Sequence, residues 1–227
     1  MRELQKTIGY TFRDLSLLET ALTHTSYANE VYKDGLRSYE RLEFLGDSIL
    51  GFTTADYLIA AFPKLHEGEL TKLRADLVCE ASLAETAKAL GLGDHLRLGK
   101  GEEAGGGRQR ISIIADVVEA VIAAIYLDGG LLAAKRFIYE HVLVDAGARV
   151  KLNADYKTML QELVQQKKNQ VLSYELLGES GPDHDKQFSV RVLLNGRPVG
   201  AGSGTSKKRA EQAAAREAVE TLFPDAI

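Results

Sequence analysis

The chain has 227 residues, 45% hydrophobic and 26% charged, with 21 Gly and 4 Pro, a composition that excludes a disordered tail or a collagen-like rod. Its one cysteine, Cys79, excludes an intramolecular disulfide and a cysteine-ligated zinc, and fits a reducing, cytoplasmic setting. The formal charge is −4, with 18 Lys+Arg against 22 Asp+Glu over residues 1–153 and 10 against 10 over 154–227, so any nucleic-acid binding must come from local clusters.

The start, MRELQKTIGYTF, lacks the apolar core of a signal peptide, so export is not expected. Up to about Val144 helix follows helix: the patterning predicts helices over 12–23, 39–61, 69–90, 113–126 and 131–144, with Gly91–Gly93, Gly105–Gly107 and Gly129–Gly130 as loops. The longest apolar stretch, 111–127, carries Asp116 and Glu119 and is too short and too charged to span a membrane. Residues 145–153 are small, polar and weakly periodic, and read as a linker. From 154 to 227 the pattern changes. A helix over 157–167 precedes alternating strands over 172–177, 187–195 and 199–203, with Asn195-Gly196 as a tight hairpin turn, and an Ala-rich helix over 206–222 closes the chain. The expected architecture is an all-α domain over 1–144 followed by an α+β domain, α-β-β-β-α, with its helix pair on one face of an antiparallel sheet.

The segment Glu40-Arg41-Leu42-Glu43-Phe44-Leu45-Gly46-Asp47-Ser48 is the most informative. At about 100° per residue, Glu40, Glu43 and Asp47 fall within about 60° of one another, and Leu42, Leu45, Ile49 and Phe52 fall opposite. Like charges so spaced weaken a helix by roughly 0.2–0.5 kcal/mol per pair. Two readings follow: a solvated acidic face, or a cluster for a hard divalent cation, Mg²⁺ or Mn²⁺ rather than zinc. Phe44 falls on the acidic side, where it either packs under a neighbouring helix or enters a partner subunit.

The predicted helix around Asp116 and Glu119 is apolar nearly all round and therefore buried, yet it carries two acids one turn apart. A bare buried carboxylate costs several kcal/mol. The pair is either bonded to an arginine such as Arg41 or Arg74, or joins the first acids in an all-oxygen metal site suited to phosphodiester hydrolysis. In His66-Glu67-Gly68-Glu69, Glu69 reads as a first-turn acid favoured by the helix dipole, and Glu67 as either the same or a further acid of the cluster. His24 reads as a structural hydrogen bonder at a helix end.

Lys207, Lys208 and Arg209 open the last helix, where the dipole disfavours cations but free N–H groups favour phosphate. They are either a solvated patch or a phosphate contact, with Gly200, Gly202 and Gly204 allowing close backbone approach. His184 sits at a loop tip, and Gln161 and Glu162 lie on the exposed side of the first helix of this module. Helix, loop and helix start together could grip A-form duplex RNA by shape.

The segment 40–48 resembles the signature of the ribonuclease III family. Ile114-Ala115-Asp116-Val117-Val118-Glu119-Ala120 resembles its second acidic motif, and Ser206-Lys207-Lys208-Arg209-Ala210-Glu211-Gln212 is similar to the double-stranded-RNA-binding domain. The resemblance covers essentially the whole chain. It implies an all-α endonuclease domain plus an α+β double-stranded-RNA-binding domain. It also implies a cytoplasmic, homodimeric, Mg²⁺-dependent enzyme, with Mn²⁺ as a substitute. Such an enzyme would cut duplex RNA to 5′-phosphate and 3′-hydroxyl ends with short 3′ overhangs, processing ribosomal RNA precursors and other structured transcripts, mRNA and tRNA operons among them.

By position, Glu43, Asp47, Asp116 and Glu119 would hold the metal, Asp47 and Glu119 would be catalytic, and Glu40 and Glu67 would support them. Phe44 would be the aromatic plug of the dimer, and Gln161, Glu162, His184, Lys207, Lys208 and Arg209 would contact RNA. Two positions depart from the family pattern: Tyr39, where Asn is usual, and Ile111, where a polar or charged residue is usual. The alternative class is a non-catalytic double-stranded-RNA-binding regulator.

Overall fold

A computed structural model describes residues 1–148, 155–167, 169–182 and 186–224. The chain divides into two units, Met1–Leu152 and Asn153–Ile227. Most of the segment read as a linker, 149–153, lies outside the described residues. Ala146, near its start, is wholly buried in the core of the first unit.

The first unit is helical: α1 (Arg2–Ile8), α2 (Leu15–Ala21), α3 (Thr25–Tyr27), α4 (Glu40–Ala61), α5 (Glu67–Val78), α6 (Glu80–Ala89), α7 (Lys100–Ala104), α8 (Ile111–Gly129) and α9 (Leu131–His141), with a π turn at Ala28–Tyr32 and short 3₁₀ turns between helices. Helix α8 is the axis. Val117, Val118 and the run Ala120–Ile125 are fully buried, and α2, α4, α6 and α9 pack around it. An all-round apolar helix can only be stable inside such a ring. Among the described residues no helix is long and apolar enough to cross a membrane.

The single helix predicted over 69–90 is in fact two. Cys79, at φ −69° and ψ 155°, is extended and ends α5 while starting α6. One straight helix of that length would reach about 33 Å; the break instead lets α5 pack on α4 and α6 on α8. The helix predicted from 69 begins earlier, at Glu67: His66 caps α5, and the Glu69 carboxylate accepts the His66 backbone N–H at 2.9 Å, a capping box. At the far end of α8 the buried Asp128 accepts from the Tyr10 hydroxyl (2.7 Å) and from the backbone N–H groups of Arg13 (3.0 Å) and Asp14 (2.8 Å), tying the N-terminal segment to the axis. Burial opposes that charge, but these donors outweigh it and hold the carboxyl down at about 2.

The second unit runs α10 (Tyr156–Gln165), β1 (Leu172–Ser180), β2 (Gln187–Leu194), β3 (Arg197–Gly204) and α11 (Lys207–Leu222). The sheet is antiparallel in the order β1-β2-β3. Leu172 pairs with Leu194, and Phe188 with Gly204, with bulges at Leu176/Gly178 and Val192/Leu193. Asn195 and Gly196, at φ 53° and 76°, make the hairpin turn. Tyr156, Leu160 and Val164 of α10, Val190 and Val192 of β2, and the alanine face of α11 form its core.

The glycines of β3 have a use within the fold itself. A Cβ on Gly200 would lie 2.4 Å from the Ala214 carbonyl oxygen, and one on Gly202 would lie 2.3 Å from the Ala214 nitrogen. The close backbone approach seen there is that of α11 onto the sheet.

Candidate functional site

Helices α4 and α8 cross at Gly46. A Cβ there would meet the backbone carbonyl oxygen of Glu119 at an impossible separation, so only glycine lets the two helices touch. The contact places the acids of one helix beside those of the other. One carboxylate oxygen each from Glu43, Asp116 and Glu119 lie within 4.8 Å of one another, and all three side chains are half-buried.

The charges acting on Glu119 are all acidic. Burial, then Asp47, Glu43 and Asp116, push its carboxyl up to about 8. Burial and the charges of Asp116, Glu40 and Asp47 also raise Glu43. Burial raises Asp116, opposed by a hydrogen bond from the Tyr39 hydroxyl at 3.3 Å and by the charge of His24, and reinforced by Glu80. A half-buried, all-oxygen set whose carboxyls are all pushed toward the protonated form by burial and by one another's charge fits a hard divalent cation.

The other predicted acids, Asp47, Glu40 and Glu67, lie outside this trio. Asp47 is exposed, one turn along α4 from Glu43, and its charge reaches both Glu43 and Glu119. Glu40 is exposed in the first turn of α4, where the dipole favours it. Glu67 is exposed and accepts from the Thr71 hydroxyl at 2.8 Å, with no part in the trio. The arginines considered as partners, Arg41 and Arg74, are exposed, and the group that reaches Asp116 is a phenol. Burial and the Asp116 and Glu43 charges hold the Tyr39 hydroxyl well above the ordinary phenol range, so it donates to the carboxylate. His24 caps α3 through Nδ1, which accepts the Ser26 N–H.

Phe44 is 79% exposed and so does not pack under a neighbouring helix. Phe52, placed by its spacing opposite the acids, is 56% exposed, and Ile59 is exposed too. At about 100° per residue these three share one side of α4, an apolar stripe beside the acids.

In the second unit the Ser206 hydroxyl accepts the Arg209 N–H at 3.2 Å and caps α11, leaving Lys207, Lys208 and Arg209 exposed on its first turn. Gln161 and Glu162 are exposed on α10. The starts of α10 and α11 lie side by side, joined by Asp155 to Gln212 (2.7 Å) and Lys157 to Glu211 (2.8 Å). His184 lies outside the described residues.

Sequence reading passed over three residues at this site. The sequence marks Tyr39 only as a departure from the family pattern. Glu80 begins a helix whose start was not expected. Gly46 carried a usable signal, since a glycine inside a helix is unfavourable unless something approaches closely.

A cluster of carboxylates in a helical unit, followed by a helix-sheet-helix unit with a basic helix start, has the make-up of a nuclease unit joined to a nucleic-acid-binding module. The comparisons agree in both halves. Residues 14–146 match the family model described as ribonuclease-III-like, and residues 156–222 match the double-stranded RNA binding motif. Ribonuclease 3 of Listeria monocytogenes is 46% identical over 222 residues, 97% of this chain and 96% of that protein. Ribonuclease 3 of Symbiobacterium thermophilum is 52% identical over 214 residues, 93% and 90% of the two chains. The crystal structure of the nuclease domain of ribonuclease III from Campylobacter jejuni superposes with a TM-score of 0.59 at 39% identity, covering 64% of this chain and 95% of that one. A second structure of that domain, which concerns flexibility in the region involved in its dimer formation, gives 0.58 at 40%, covering 62% and 94%. The chain belongs to the ribonuclease III family and is an endoribonuclease of that type with a double-stranded-RNA-binding domain.

Proposed function

We propose that this enzyme is a cytoplasmic homodimer that hydrolyses double-stranded RNA with Mg²⁺ as its resident ion and Mn²⁺ as a substitute. The products carry 5′-phosphate and 3′-hydroxyl ends with short 3′ overhangs, and the natural substrates are ribosomal RNA precursors and other structured transcripts, mRNA and tRNA operons among them. The observation that carries this reading is the meeting of Glu43, Asp116 and Glu119 oxygens within 4.8 Å. Those three would hold the cation, which when bound would polarise the phosphodiester and favour deprotonation of the attacking water.

The protein's own contribution is a preorganised anionic cage. Asp47 and Glu119 are its catalytic acids: Asp47 is solvent-exposed one turn along α4 from Glu43, and Glu119, whose carboxyl its acidic neighbours push up, would be held in its charged form by a bound cation. Glu40 supplies a supporting field, and Glu67 is proposed only as a further supporting acid. Lys207, Lys208 and Arg209 bind phosphates at the start of α11, and Gln161, Glu162 and His184 complete the duplex contact, which by this chemistry reads A-form shape rather than sequence. The exposed stripe of Phe44, Phe52 and Ile59 supports the dimer, with Phe44 as its plug.

The test is cleavage of a long duplex RNA by the purified protein in Mg²⁺ and in chelator, beside Glu119→Gln. Cutting in Mg²⁺ that chelator abolishes, and that the variant loses while still binding RNA, is the expected result. Tight binding with no cutting in either Mg²⁺ or Mn²⁺ would instead make the protein a double-stranded-RNA-binding regulator on a nuclease scaffold.

A further inference from the structure

Tyr39 is 3% exposed and immediately precedes α4. It is held from sides other than α8. Its backbone N–H donates to the Thr23 carbonyl at 2.8 Å, and its ring lies against His24, with centroids 5.7 Å apart. His24 is fixed in turn: Nδ1 sits 2.7 Å from the Ser26 hydroxyl, and that hydroxyl accepts the Gly99 N–H at 2.9 Å. The phenol is thus anchored to the segments around α3 and residue 99, and it presents its hydroxyl across to Asp116 Oδ2 on α8, at 3.3 Å.

An aspartate carboxylate turns about a broad, two-fold torsion and has no strong preferred plane of its own. In a metal site its aim is set by whatever hydrogen-bonds the oxygen that faces away from the ion, and losing such a partner weakens metal affinity by roughly 10–100-fold. We propose that Tyr39 is a positioning residue whose hydroxyl sets the orientation of the Asp116 carboxylate for divalent-cation binding. The inference rests on the cation reading of the Glu43, Asp116 and Glu119 cluster. It assigns the hydroxyl to cation affinity and not to the chemical step, because Tyr39 reaches the reacting atoms only through Asp116.

The experiment compares full-length wild type with Tyr39→Phe, which keeps the ring and removes one oxygen. Free Mn²⁺ is titrated by electron paramagnetic resonance in the absence of RNA, metal-free melting is recorded, and the Mg²⁺ dependence of duplex cleavage is measured. The expected result is Mn²⁺ affinity lower by about tenfold and the Mg²⁺ half-saturation raised in proportion. The rate at saturating Mg²⁺ should stay within about threefold, and the metal-free melting temperature within about 2 °C. Affinity within about twofold of a wild type that does bind Mn²⁺ overturns the role of Tyr39 and leaves the cation reading standing. A wild type that binds no Mn²⁺ overturns the cation reading itself, and the proposal with it. Lower affinity accompanied by metal-free melting more than about 4 °C lower also overturns it, because the hydroxyl would then be holding the fold rather than aiming Asp116.

Discussion

Replacing Gly46 with alanine tests how closely the site depends on the crossing of α4 and α8. The added Cβ would lie about 1.9 Å from the Glu119 carbonyl oxygen, 2.4 Å from its carbonyl carbon and 3.0 Å from its Cα, where ordinary contact begins near 3.4 Å. All three neighbours are backbone, so no side chain can swing aside. The helices must separate by about 1.5 Å at the residue that carries a cluster acid. Overpacking of a core usually costs about 1–3 kcal/mol, and a backbone clash on the central axis belongs at the upper end. At about 2–4 °C per kcal/mol for a chain of this size, Gly46→Ala should melt about 6–12 °C lower. A displacement of about 1 Å at a catalytic group can cost about a hundredfold in rate, so duplex cleavage at saturating Mg²⁺ should fall at least that far. Gly68→Ala is the control. It is an exposed helical glycine with nothing within 4 Å of its Cβ, and it should range from neutral to about 1 kcal/mol stabilising. Melting within about 2 °C of wild type, together with cleavage within about threefold, would refute the close crossing.

Three further outcomes are expected. Glu119, raised to about 8 by burial and its acidic neighbours, favours folding while it holds its proton. That contribution is complete below the ordinary carboxylate range near 4.5 and is lost as pH rises through about 8. Metal-free wild type should therefore melt lower as pH goes from 6 to 9, and Glu119→Gln should flatten the decline; parallel curves for the two proteins would contradict the raised value. Lys207→Ala with Lys208→Ala should weaken duplex binding and reduce the slope of log affinity against log salt by about two, and an unchanged slope would remove these lysines from the phosphate contact. Phe44→Ala should shift the protein toward monomer in sedimentation at micromolar concentration, and an unaltered dimer would take Phe44 out of the interface.

Much of this was legible in the residues because it depends on local periodicity. The acids of α4 share a side through their spacing alone, and the apolar run of α8 had to be buried whatever surrounded it. The hairpin at Asn195-Gly196 follows from two residues that tolerate positive φ, and the basic start of α11 stands out against the dipole of its own helix.

Tertiary packing decided the rest. That Glu43 meets Asp116 and Glu119, while Glu67 accepts from Thr71 and lies outside the trio, depends on which helices cross and where, and a one-dimensional period carries no such term. The break at Cys79 answers to two different neighbours, α4 for α5 and α8 for α6, which no propensity within 69–90 encodes. The glycines of β3 serve the approach of a helix that follows them in sequence and lies over them in space. The partner of Asp116 was sought among arginines, since charge is what composition makes visible. The fold supplies a tyrosine hydroxyl instead, from a residue 77 positions away, and the apolar ring that carries it is buried at 3% exposure, where a charged guanidinium would have to shed its water.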